Sequence, residues 1–133
     1  KMAQSGQYNY KRCLDRQEIV AACWARCEFI KAATAMTYLL NKKYMPFYKW
    51  AHHGLQFLPI LPKMYKKIAS LAATTDTAVS IALMEDICDD VRQEWQRQGL
   101  ASGTDSFLLA YAPAILSHIA DESLRNLPAL QLY

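Results

Sequence analysis

The chain is poor in the residues that punctuate structure. Of its 133 residues only 4 are glycine and 5 are proline, too few for an all-β protein with a turn every ten residues or so. No stretch alternates apolar with polar positions, so strands are not expected. The common catalytic signatures are missing as well. There is no glycine-rich phosphate loop, no H-E-x-x-H and no G-x-S-x-G, which excludes P-loop, zincin and nucleophile-elbow chemistry from these residues. No Gly-Ser is followed by an Asp-x-Asp, so a two-metal nucleotidyl-transfer centre is not within them either. No Arg has a His five to seven residues on, the spacing of helical ribonuclease toxins. The four cysteines, Cys13, Cys23, Cys27 and Cys88, form no C-x-x-C pair, and no cluster of Cys and His has metal-ligand spacing. Free thiols in a cytoplasmic protein without a secretory leader are the expectation. An uninterrupted apolar run is lacking too. The longest apolar-looking stretch, from Ile19 to Leu40, holds Arg26, Glu28 and Lys31, and reads as a buried helix rather than a membrane span.

What remains is a globular composition, 53% apolar and 20% charged, and a length that fits one domain over 1–133. The first residue is Lys1, and Met2-Ala3-Gln4 reads like the tail of a helix already under way. The expectation is therefore a piece of a longer polypeptide. The net charge of +3 conceals an asymmetry. Residues 1–67 carry 12 Lys and Arg against 3 Asp and Glu, a balance of +9, and residues 68–133 carry 3 against 9, a balance of −6. A basic half suits a phosphate-bearing ligand or nucleic acid. It equally suits a half that packs on, and is neutralised by, the acidic one.

The periodicity predicts an all-α, up-and-down bundle of four to five helices. Gly6 and Asn9 read as helix breakers. Asp15 is a plausible N-cap for a helix over 16–40, with Ile19, Val20, Cys23, Trp24, Cys27, Ile30, Met36, Leu39 and Leu40 as its apolar positions. A helix apolar on most sides belongs in the middle of a bundle, and Cys23 and Cys27, one turn apart, read as small core residues. Asn41-Lys42-Lys43 closes it. Pro46 fits the first turn of a helix to about residue 58. A short helix follows over 63–71. Thr74-Thr75-Asp76 caps a helix to residue 98 that ends at Gly99, with Met84, Cys88, Val91 and Trp95 in its core stripe and Leu83 and Ile87 alongside. After a loop at 101–105, a last helix spans about 106–126, kinked or begun by Pro113 and ended by Leu127-Pro128-Ala129.

Two short segments flank the long helix and crowd tyrosines, amides and cations together. The first is Ser5-Gly6-Gln7-Tyr8-Asn9-Tyr10-Lys11-Arg12. In an extended loop Tyr8, Tyr10 and Arg12 point the same way and could stack on a ring and pair with a phosphate. The plain alternative is a loop that packs its tyrosines over the bundle end. The second segment is Asn41-Lys42-Lys43-Tyr44-Met45-Pro46-Phe47-Tyr48-Lys49-Trp50. On a helix Lys49, His52 and His53 are neighbours, a cation and two imidazoles fit for an anion. The residues alone place Trp50 in the core with a histidine against it. Adjacent histidines diverge by about 100° on a helix, poor geometry for a two-His metal site. The carboxylates Glu85, Asp86, Asp89, Asp90 and Glu94 pair at i,i+4. They read as a solvated face, or as the acidic partner of the basic half, before they read as a metal or acid–base site. His118 with Asp121 and Glu122 reads as a surface ion pair.

Gly6-Gln7-Tyr8-Asn9-Tyr10-x-Arg12 and Leu39-Leu40-Asn41-x-x-Tyr44-x-Pro46-x-Tyr48-Lys49-Trp50 resemble the C-terminal helical region of the bacterial domain of unknown function 4037 family. Phe107-Leu108-x4-Pro113-x-Ile115-x2-His118-Ile119 and Leu124-Arg125 are similar in pattern too, so the resemblance spans nearly the whole chain. Proteins of that family resemble minimal nucleotidyltransferases of the kanamycin nucleotidyltransferase architecture, in which a small α/β catalytic domain precedes a helical bundle. The resemblance implies that this bundle forms one wall of a substrate cleft and is not catalytic alone. It implies catalytic aspartates upstream of Lys1, with Mg and a nucleoside triphosphate as cofactor and substrate of the whole protein. The positions carried over are Tyr8, Asn9, Tyr10, Arg12, Asn41, Tyr44, Lys49 and Trp50. Arg12 and Lys49 would bind anionic oxygens, and Tyr8, Tyr10 and Tyr44 would stack or donate hydrogen bonds. The implied partners are the upstream domain and a nucleotide or small-molecule acceptor. Two rivals stand beside this: a basic helical module that binds nucleic acid, and an interaction domain that forms a homodimer through a bundle face.

Overall fold

The computed structural model describes residues 1–128, and every regular element among them is helical. In order these are α1 (Lys11–Asp15), α2 (Ile19–Leu40), α3 (Tyr48–Gly54), α4 (Met64–Ala73), α5 (Thr77–Arg97), α6 (Ala112–Leu116) and α7 (Glu122–Arg125). A π-helical segment at Ala3–Tyr10 leads into α1, and 3-10 turns occupy Leu55–Phe57 and Leu108–Tyr111. The all-α expectation is met.

Cross-element bonds set the directions. The N-terminal segment lies antiparallel to α2, with Lys1 Nζ 3.3 Å from Glu28. α4 lies antiparallel to α5, because Lys63 pairs with Asp90 and Lys67 with Asp86. α2 and α5 run the same way: Arg26 donates to the Thr74 carbonyl and Gln98 to the Leu40 carbonyl, both at 2.9 Å. Phe29, Leu55, Met64, Leu71, Met84, Ile87 and Val91 fill the space between these helices and are fully buried. The core stripe of α5 is as its spacing predicts, with Met84, Ile87, Cys88, Val91 and Trp95 buried and Leu83 half-buried. Asp76 caps α5 by accepting from Val79 N at 3.0 Å, and the left-handed Gly99 (φ 71) ends it.

Gly6 does not break a helix. A Cβ built on it would stand 2.2 Å from Cδ2 of Phe29. The missing side chain lets the helical backbone lie directly on a buried ring, a packing reason that outweighs low helix propensity. Asn9 likewise continues the helix. Gln7 then ties the segment across the bundle. Its amide donates to Glu85 (2.8 Å) and to the Ser106 carbonyl (2.7 Å), and accepts from Leu108 N (2.9 Å).

α2 begins later than Asp15 would have it. Asp15 is the last residue of α1, paired with Lys11 at 2.7 Å, and Gln17 takes a left-handed φ of 61° that separates the two helices. Nor is α2 buried all round. Its buried residues are Ala22, Phe29, Ala33, Thr34, Thr37, Tyr38 and Leu40. Ile19, Val20, Cys23, Trp24, Cys27 and Leu39 are exposed, Trp24 at 71%. The core side of α2 sets Phe29, Tyr38 and Leu40 among the smaller Ala22, Ala33, Thr34 and Thr37, while Ile19, Val20, Trp24 and Leu39 turn outward.

The last helix is not continuous. Pro113 has no N–H to give and sits in the first turn of α6. Asp121 accepts from Ser123 N and Leu124 N and starts α7 afresh. His118 pairs with neither Asp121 nor Glu122: its Nε2 is 3.0 Å from the Leu100 carbonyl. Ala129, placed by sequence at the end of this region, lies outside the described residues.

Candidate ligand-binding surfaces

The N-terminal segment presents its residues as a helix, not as an extended strand, and this divides them. Tyr10 faces the core and is 4% exposed. Tyr8 and Arg12, four residues apart, meet on the outer face. Arg12 Nη1 donates to Tyr8 Oη at 2.6 Å, and the guanidinium carbon stands 4.7 Å from the ring centroid. The result is an exposed ring and a fixed, planar cation side by side. Beside them Asn9 and Cys13, with Ala21, Ala25 and Glu28 of α2, line an open groove of about 360 Å³. The groove is within the size range of small-ligand sites, and Tyr8 and Arg12 adjoin its wall residues Asn9 and Cys13 in sequence without lining it.

The second segment is an exposed loop that enters α3. Tyr44 is 93% exposed and Trp50 is 66% exposed, so Trp50 is not core. Phe47 and Tyr48 are exposed as well, their rings 4.5 Å apart. Lys42, Lys43 and Lys49 are exposed beside them. The expected cluster of Lys49 with two imidazoles is divided. His52 turns to α4, stacks on Tyr65 at 4.5 Å and donates from Nε2 to its carbonyl at 2.8 Å. His53 packs on Phe57. Asn41 holds the loop in place rather than presenting its amide. It donates to the Thr37 and Ile60 carbonyls (2.8 and 2.9 Å) and accepts from Ile60 N (2.9 Å). Tyr38 fixes α3 by donating to the Ala51 carbonyl at 2.9 Å.

The two segments stand at different heights on α2. Asn9 shares a groove with Ala25, whereas α3 rests on Tyr38. Thirteen residues of helix separate Ala25 from Tyr38, roughly 20 Å at 1.5 Å per residue. One mononucleotide phosphate cannot touch both Arg12 and Lys49.

The acidic run is not wholly solvated. Asp90 is buried and receives Lys63 (2.6 Å) and Lys67 (2.5 Å), and Lys67 also reaches Asp86 (2.6 Å). Burial by itself lowers the pKa of Lys67, but the hydrogen bonds to Asp86 and Asp90 outweigh it and the net direction is up. This is the packing of basic on acidic half that the charge asymmetry allows. Glu94 is buried with Arg97 at 2.5 Å, and the Arg97 hydrogen bond holds its carboxyl below the usual range against the opposite pull of burial. Burial pushes the Cys88 thiol up, away from reactivity. Among the described residues no three of His, Cys, Asp and Glu converge on a point that could hold a metal. No described helix is long and apolar enough to cross a membrane.

Two features escaped the sequence reading. One is the outward apolar face of α2. The other is that residues 29–75 contain 7 lysines and no Asp or Glu at all, a signal readable directly from the chain. Only Lys63 and Lys67 of that run are taken up by the carboxylates of α5.

Residues 1–51 match the family described as Domain of unknown function (DUF4037). The matched stretch contains all eight carried-over positions. No curated protein and no solved structure matches the chain.

Proposed function

We propose that this bundle is the helical substrate-binding part of a nucleotidyltransferase-like protein, forming one wall of a cleft and not catalysing transfer by itself. The observation that carries the proposal is the exposed Tyr8–Arg12 pair, with its 2.6 Å hydrogen bond and its ring–guanidinium stack. A base can extend the stack, and the remaining guanidinium N–H groups can receive a phosphate in the bidentate manner that arginine allows. Asn9, on the groove wall, supplies a hydrogen-bonding amide within the same site. Tyr44, Lys49 and Trp50, roughly 20 Å further along α2, serve the acceptor side of the cleft. Tyr10 and Asn41 act by positioning: one anchors the π-helical segment in the core, the other holds the acceptor loop.

Catalytic carboxylates and their metal belong, in this proposal, to a further domain of the same protein. The outward face of α2, with Ile19, Val20, Trp24 and both exposed cysteines, is the surface that such a domain would cover. The test is nucleotide affinity of the whole natural polypeptide by titration calorimetry. Arg12→Ala is expected to weaken nucleoside triphosphate binding at least tenfold, and Lys49→Ala to leave it within twofold. Unchanged affinity in Arg12→Ala removes the site assignment.

A further inference from the structure

We propose that the loop and helix start at residues 42–50 bind single-stranded nucleic acid, with bases stacked on exposed rings and the backbone threaded past lysines. The inference names the acceptor class for the second half of the proposed cleft. It rests on that reading only for the word acceptor, since binding needs no transfer. Three observations carry it. First, every large exposed hydrophobic between residues 42 and 57 is aromatic: Tyr44, Phe47, Tyr48, Trp50 and Phe57. Monomeric proteins have no packing use for so many solvated rings in one place, whereas each ring is a platform for one base. Second, the rings alternate with Lys42, Lys43 and Lys49 in a stretch that contains no carboxylate, and no ion pair among the described residues takes up these three. Third, the loop stands beside an open groove of about 460 Å³ lined by Lys42, Asn41, Arg97 and Gln98. That gives a strand a path with Lys42 on its wall, Arg97 there being paired with Glu94. Duplex DNA offers its phosphates but keeps its base faces covered, so the rings favour single strands. Exposed rings beside lysines also suit a lipid interface, so vesicle binding is the competing outcome of the test.

The experiment is fluorescence anisotropy of the 133-residue chain with labelled dT20 and U20, the corresponding duplexes, and phosphatidylserine vesicles. Single strands are expected to bind more tightly than duplexes, with a log–log salt slope near −2 for three lysines. Trp50→Ala and Tyr44→Ala are each expected to weaken single-strand binding about 5- to 150-fold, with unchanged circular dichroism because both side chains are solvated. Equal binding of duplex and single strand, full affinity in both ring variants, or vesicle binding in place of oligonucleotide binding overturns the inference. Mononucleotide affinity measured in parallel on the whole natural polypeptide separates the two proposals. Oligonucleotide binding without mononucleotide binding supports the loop and counts against the cleft, and the converse does the reverse.

Discussion

Adding a single methyl group at Gly6 tests how the N-terminal segment is packed. In Gly6→Ala the new Cβ would sit 2.2 Å from one Phe29 ring carbon and 2.7 Å from the next. Phe29 is fully buried, so the ring cannot swing into solvent and the backbone must retreat instead. Overpacking of this kind costs about 1–3 kcal/mol. Against it stands the helix-propensity gain of alanine over glycine, about 1 kcal/mol. For a 2.2 Å approach to a buried ring the upper part of that range applies, about 2–3 kcal/mol, so the net expectation is a loss of about 1–2 kcal/mol. At about 2.1 cal/mol/K of unfolding entropy per residue, a chain of this length loses about 4–7 °C in Tm. Thermal unfolding followed by circular dichroism at 222 nm reads this directly. The double variant Gly6→Ala with Phe29→Leu should lose less than the sum of the two single changes, because the clash is then relieved. A Gly6→Ala protein as stable as the parent, or more so, would refute the close approach. That is the result expected if Gly6 sat in an open loop.

Three further outcomes follow from the packing and the charges. Asp90→Ala removes the buried carboxylate that holds Lys63 and leaves Lys67 with Asp86 alone, and should cost about 1.5–3 kcal/mol, the scale of hydrogen bonds to charged groups, read as a lowered urea midpoint with unchanged slope. Cys23 and Cys27 are exposed and Cys88 is buried with a raised pKa, so maleimide should label the first two within minutes in the native chain and reach Cys88 only after unfolding. Protection of Cys23 and Cys27 that depends on protein concentration would instead mark a dimer through α2. Asp89 and Glu94 are held below the ordinary carboxylate range chiefly by hydrogen bonds from Arg92 and Arg97. A lowered carboxylate contributes stability above its unfolded pKa, near 4, and loses it as pH falls through the folded value. Tm should therefore hold above about pH 5 and fall below about pH 4, with a shallower acid limb in Glu94→Gln than in the parent.

How far the sequence leads depends on whether a residue's role is local. The α5 stripe, its Asp76 cap and its Gly99 stop follow from spacing and backbone chemistry alone, and all appear where the pattern puts them. Gly6 reads as a breaker because its propensity is local, while its reason for being there is a phenylalanine 23 residues away. The side of α2 that faces inward is likewise a tertiary matter. Composition shows an apolar helix, but the partner helices choose the face with Ala22, Ala33 and Thr37, and leave Trp24 outside. The candidate site was readable as two aromatic and basic segments. Their division was not: Tyr10 goes inward because the segment is helical, and Trp50 goes outward because Tyr38 and Ala51 take the contact with α2. The lysine run without carboxylates was legible throughout, and the half-by-half charge balance hid it by averaging.

Photo-crosslinking of an azido nucleoside triphosphate to the whole natural polypeptide, followed by peptide mapping, tests the cleft proposal most directly. The proposal predicts label on the tryptic peptide over residues 2–11, which carries Tyr8 and Asn9, and loss of that label in Arg12→Ala. Label confined to other parts of the polypeptide, with none on residues 2–11, would contradict it.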